Sequence, residues 1–151
     1  MKTHLVVEGL LFHKGKLLLI NHKKSGLWMG IGGHIAEDET PDQALKREFK
    51  EEMNLDIEIL NRNDLPKNGN IIAQLALPFY VNVHNVGTHN HCCFFYLCSA
   101  KNLNRIKPRP SEIADFAWFS KQDLKQSRVP PDVRNIALKA FQLTEQNKRK
   151  S

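Results

Sequence analysis

Several things are missing from this sequence, and each absence narrows the reading. No apolar run approaches the ~20 residues of a membrane-spanning helix, so no such span is expected. Cysteine is scarce: Cys92, Cys93 and Cys98 are an odd set within one short apolar segment. That is no disulfide framework, and it points to a reducing, cytoplasmic compartment. There is no internal repeat, no low-complexity tract, no linker and no run of five like charges. The opening stretch MKTHLVVEGLLF is interrupted by His4, Glu8 and Gly9 and carries no small-residue cleavage site, so it does not read as a signal peptide. Nothing resembles an aromatic–glycine RNA-binding string, a zinc finger or a helix-turn-helix pair.

What is present is an ordinary globular composition. The 151 residues are 41% hydrophobic and 25% charged, which fits one domain over 1–151 with a core large enough to fold without staples. The net charge is +6, from 22 basic and 16 acidic residues. Such a surface attracts polyanions or small phosphorylated ligands. The basic residues are scattered, however, apart from a short basic tail from about residue 146.

The chain opens as a β-hairpin: Leu5–Phe12 and Lys16–Asn21 are strand-like, joined by a turn at His13-Lys14-Gly15. A loop carrying Gly26, Gly30, Gly32 and Gly33 follows, with Trp28 inside it. Thr40 then reads as an N-cap with Pro41 at the first helical position. Leu45, Phe49 and Met53 repeat at i, i+4 and i+8 as the buried stripe. Glu48, Glu51 and Glu52 lie together on a neighbouring face, and Asn54, tolerant of the left-handed conformation, stops the helix. Further on, Leu55–Leu60, Ile71–Val86, Asn90–Ala100 and Ala114–Phe119 carry strand character. Pro131 opens a second amphipathic helix, with Val133, Ile136, Ala137, Ala140 and Phe141 facing inward. Mixed strands with two well-separated helices imply an α/β (α+β) fold, a mixed sheet between helices.

One pattern carries chemistry. Gly33 is followed six positions on by Glu39, eight further by Arg47, then Glu48, apolar Phe49, Lys50, Glu51, Glu52, Met53, Asn54 and apolar Leu55. This resembles the Nudix box: Gly, five residues, Glu, seven residues, Arg-Glu, apolar, any, Glu-Glu, any, Gly, apolar. Six identities match at fixed offsets, a coincidence expected about once in 10⁵ chains of this length at average residue usage. An acidic helix with an Arg47–Glu51 pair would explain the helix carboxylates, but not Gly33 and Glu39. Two departures stand out: Asn54 replaces the family's Gly, and Ile31 replaces the Pro common before the glycine pair. The hairpin, Trp28 and a late acidic segment running into Trp118-Phe119 also resemble the family.

The resemblance implies an α-β-α Nudix fold and a MutT-like hydrolase of a nucleoside diphosphate linked to another moiety. It implies Mg²⁺ or Mn²⁺ held by Glu48 and Glu52, joined by Glu51 and the carbonyl of Gly32. Hard cations suit this chemistry because they neutralise phosphate charge and take oxygen ligands. Arg47 would pair with the carboxylates, Glu39 would anchor the loop, and Glu112 or Asp115 is the candidate general base. Substrate contacts are expected from Trp28, Gly33, His34, His89 and His91. His84, His89, His91 and Cys93 invite a zinc reading, but ligands crowded on consecutive strand positions seldom close a tetrahedron. Two other functions share the motif: a nucleotide sensor without catalysis, and an RNA 5′-end pyrophosphohydrolase, which the positive charge favours. Sensors of this kind tend to lose box glutamates, and this chain keeps all of them. Many relatives form homodimers, and one is a possible state here.

Overall fold

The computed structural model describes residues 1–150; Ser151 lies outside them. Eight strands and two long helices form one mixed sheet with a helix on each face. In chain order these are β1 (Thr3–His13), β2 (Lys16–His22), β3 (Trp28–Met29), β4 (Ile31–His34), α1 (Pro41–Met53), β5 (Ile57–Ile59), β6 (Tyr80–Asn85), β7 (Asn90–Ala100), β8 (Ile113–Phe119) and α2 (Pro131–Lys150).

The hairpin forms because Lys14 and Gly15 both take positive φ, +49° and +76°. That double left-handed turn matches the twist of the flanking strands. β1 is the central strand. One of its edges is shared: the early half pairs with β4 (Val6↔His34 to Gly9↔Ile31) and the late half with β2. Along the other edge β7 runs parallel to it from Thr3↔Asn90 to Leu11↔Cys98. β7 in turn splits its outer edge between β6 and β5, and β8 lies against β2.

Strand alternation sorts the apolar residues into two cores. Val7, Leu11, Leu18 and Ile20 face α1, where Leu45, Phe49 and Met53 are fully buried. Leu10, Leu17 and Leu19 face α2 and meet Ala137, Ala140 and Phe141. Gly9 lies under the Phe49 ring, where any added Cβ would collide with it. The inward stripes expected from the sequence are therefore those observed on both helices, with Val133 and Ile136 partly buried at the edge of the second.

α1 begins with a reciprocal cap: the Gln43 amide N–H donates to Thr40 Oγ1, and the Thr40 N–H donates to the Gln43 side chain. It ends at Asn54, which is left-handed (φ 57°, ψ 38°) and donates its side-chain amide to the Arg105 carbonyl at 3.1 Å. The Asn that replaces the motif's Gly thus adopts the glycine conformation and adds a tether.

Three sequence expectations need correction. The glycine loop contains two short strands, β3 and β4, because its backbone pairs with β1 and β2. The stretch 71–79 is irregular, and the strand starts only after Pro78. Residues 146–150 are not a separate tail but the last turns of α2.

Candidate active site

The site lies where β4 and the first turns beyond it meet α1. Arg47 organises it. Its guanidinium donates to Glu39 through Nε (3.0 Å) and Nη2 (2.6 Å), to Glu48 (2.9 Å), to Glu51 (3.4 Å) and to the His34 carbonyl (3.0 Å). Only Arg offers five donors in a planar fork, so one side chain clamps helix and loop together. Glu39 also accepts from the Ala36 N–H at 2.8 Å. These bonds favour its charged form and hold its carboxyl below the ordinary value.

The helix carboxylates are graded in burial. The side chains of Glu51 and Glu48 are 45% and 12% exposed, and Glu52 as a whole is 3% exposed. Glu52 Oε2 has no hydrogen-bond partner among the described residues. Burial, and then the negative charges of Glu48 and Glu112, push the Glu52 carboxyl up to about 9. Burial also raises Glu48, against the pull of Arg47. A buried acid with an orphaned oxygen among like charges is costly as it stands. A divalent cation would remove that cost and restore the ionised form, so the donor set fits a hard metal.

Gly32 is required by this packing, since a side chain there would run into the Val7 backbone carbonyl; at Gly33 a side chain would displace the Glu48 carboxylate. Both glycines line an open cleft together with Arg47, Glu48, Glu52 and Glu112. Glu112 arrives there because its loop is laced to the end of α1. The Lys107 and Arg109 amides donate to the Met53 and Glu52 carbonyls (3.0 and 2.8 Å), and the Lys23 amide donates to the Glu112 carbonyl (2.8 Å). Asp115 is not brought in: it is exposed and accepts from the Phe116 N–H. His22 and Lys24 also line the cleft and were not singled out in the sequence. They follow the hairpin without a motif of their own.

Glu52 also borders a deeper cavity of about 520 Å³. Its walls are mainly apolar (Val6, Ile20, Met29, Phe95, Ile136), with Glu8 and Asp132 among the polar groups. Burial, opposed by the Gly30 N–H, raises the Glu8 carboxyl to about 7. His34 and His91 line this cavity, but His89 does not. Burial, and then neighbouring imidazoles, lower His34, and the same causes push His91 down to about 4.

Trp28 is a correction. It is 6% exposed, its ring packs edge-on against Phe119, and the Arg128 guanidinium lies 4.4 Å above it. Trp28 is absent from the cavity wall, which its neighbours Leu27 and Met29 line. Period-two alternation within β3 turns the Trp28 ring into the α2-side core instead. Cys93 is likewise buried, and burial raises its thiol well above the ordinary range.

The NUDIX domain profile matches residues 2–140, and the chain belongs to this family of hydrolases, which act on pyrophosphate bonds. The fold agrees. A NUDIX-family hydrolase from Clostridium perfringens is 27% identical and superposes with a TM-score of 0.79, over 95% of this chain and 99% of its own. A MutT NUDIX hydrolase from Burkholderia pseudomallei is 20% identical with a TM-score of 0.69, over 92% and 98%. A MutT protein from Methanosarcina mazei Go1 is 15% identical with a TM-score of 0.72, over 97% and 96%. Among curated protein sequences no significant match is found.

Proposed function

We propose that this chain is a Mg²⁺- or Mn²⁺-dependent pyrophosphohydrolase cleaving a nucleoside diphosphate linked to a second moiety. The observation that carries the reading is Glu52. It is a buried carboxylate with an unpartnered oxygen, flanked by Glu48 and Glu112, at the junction of an open cleft and an apolar cavity. When bound, the cation would neutralise phosphate charge and acidify a water molecule. Glu48 and Glu52 would hold it, with Glu51 and the Gly32 carbonyl available to further ions.

The protein's own groups do the rest. The cavity volume suits a nucleoside, within the roughly 300–1,000 Å³ typical of small-ligand sites. The diphosphate would then lie in the cleft, where Gly32 and Gly33 let the backbone approach closely. Arg47 keeps Glu48 on one side of that cleft and holds Glu51, which lies outside its lining, next to it. Glu112, beside Glu52, takes the proton of the attacking water. The water oxygen then bonds to phosphorus as the bridging P–O bond breaks and its electron pair leaves with the departing phosphate, giving a monophosphate as one product. His34 and His91, at the cavity wall, are placed to touch the substrate.

The test is a panel assay of untagged protein with Mg²⁺ or Mn²⁺. It covers nucleoside diphosphate sugars, ADP-ribose, oxidised and normal dNTPs, dinucleoside polyphosphates and 5′-triphosphate RNA. Metal-dependent release of a monophosphate from at least one small nucleotide supports the reading. Nucleotide binding without any product would favour a sensor, and turnover of RNA ends alone would favour the RNA enzyme.

A further inference from the structure

We propose that His4, His34, His89 and His91 form a second metal site, for a borderline divalent transition ion of the zinc type, which adjoins the carboxylate cleft through His34 but shares no carboxylate ligand with it. One ligand nitrogen from each of the four lies within 4.8 Å of all the others. The His4 Nδ1–His34 Nε2 separation is 3.1 Å, and the His89 Nε2–His91 Nε2 separation is 3.0 Å. The His4 and His89 rings are 4.2 Å apart, centroid to centroid.

The strand register explains how residues so distant in sequence meet. Parallel pairing sets His4 opposite His91. Antiparallel pairing sets His34 opposite Val6, two residues along from His4 and so on the same face of β1. His89 comes from the turn between β6 and β7 and lies on that same face. Three separate stretches of chain thus supply the ligands, which a single strand cannot do.

The chemistry selects the ion. Four imidazoles gathered at one point repel one another if protonated. Among the described residues no carboxylate makes an ion pair with any of them. Neutral, they present converging lone pairs, a ligand field that suits Zn²⁺, Co²⁺ or Ni²⁺ and not Mg²⁺. A tetrahedral ion with bonds of ~2.0–2.1 Å places its ligand nitrogens ~3.3–3.4 Å apart. The two short pairs are near that spacing already, and exposed His34 is free to close the wider gaps. The Thr88 hydroxyl lies 2.9 Å from His89 Nδ1, an outer partner that directs Nε2 toward the cluster. The site would staple the start of β1 to β4 and to the β6–β7 turn, at the rim of the cavity that His34 and His91 line.

The experiment is a Co²⁺ titration of the full chain, with any affinity tag removed and Mg²⁺ in large excess, followed by visible d–d absorption. The expected result is an intense four-coordinate band saturating at one ion per chain. H4A and H89Q should each weaken binding by roughly tenfold or more, and the H4A/H89Q pair should abolish the band. E52Q should leave it unchanged. In parallel, Zn²⁺ should raise the melting temperature of the wild type and not that of the paired variant, with circular dichroism checking that the variant folds. A wild type without the band overturns the proposal. So does a band that survives H4A/H89Q and disappears in E52Q, which would put the ion in the carboxylate cleft. Neither outcome depends on turnover, so the hydrolase reading stands or falls separately.

Discussion

Glu52 concentrates the physics of the site in one side chain. Its carboxyl titrates near 9 in the folded chain, above the ordinary 4.5. Between those values the folded state holds a proton that the unfolded state has released. Stability from this group is therefore full below pH 4.5 and is lost as pH climbs toward 9, by up to ~1.4 kcal/mol per pH unit. Metal-free protein should accordingly melt at lower temperature as pH rises from 5 to about 9. E52Q should flatten that slope without lowering the melting temperature at pH 8. A steeper fall in E52Q than in the wild type would contradict the assignment. In the proposed reaction, E52Q should also reduce metal-dependent turnover to background. E112Q should cost roughly 10²–10⁴ in kcat, the usual worth of a positioned general base. An E112Q enzyme with wild-type kcat would remove Glu112 from that role. Arg47 is different in kind. It acts through the carboxylates it clamps, and R47K, which keeps the charge but not the fork, should raise the Mg²⁺ requirement by roughly 10–100-fold.

At the scale of elements, α1 is fastened at both ends and along its inner face, and each fastening has a measurable worth. G9A would push a methyl into the Phe49 ring, and such overpacking costs about 1–3 kcal/mol. Chemical denaturation should show that loss as a lower midpoint with an unchanged m-value. N54A keeps the left-handed backbone but loses both the tolerance of Asn and its bond to the Arg105 carbonyl, at a cost of about 1–2 kcal/mol. α1 was the most legible element in the sequence, since its cap, its stripe and its charged face are all local patterns. The resemblance implied that Arg47 pairs with the carboxylates and that Glu39 anchors the loop; that the two do this by bonding directly to each other is visible only in the structure. What the sequence hid depends on pairing between distant strands. Trp28 was misread because nothing local shows that β3 turns its ring toward α2. The four-histidine cluster was invisible because it needs the β1–β7 and β1–β4 registers. The sequence set a zinc reading of His84, His89, His91 and Cys93 aside for want of a closing ligand; His89 and His91 do meet, 3.0 Å apart, and the partners that join them are His4 and His34 from other strands. The acids before the Trp-Phe pair left Glu112 and Asp115 as equal candidates, and it is the loop across the end of α1 that carries Glu112 to the cleft.

For the molecule as a whole, the split edges of β1 and β7 matter most. Sharing β1 between β4 and β2 opens the sheet at one end, and there the cleft and the cavity meet at Glu52. The two cores hold this opening from opposite faces, α1 supplying the carboxylates and α2 closing the back through Val133 and Ile136. The net charge of +6 then adds a general attraction for anionic substrates. If steering of that kind operates, kcat/KM for a nucleotide substrate should fall as salt is raised, with kcat unchanged. The most direct test of the whole account is a crystal soaked in Mn²⁺ and measured at the manganese absorption edge. An anomalous peak between Glu48, Glu52 and the glycine backbone is the expected result. Carboxylates splayed apart with no ion between them would contradict it.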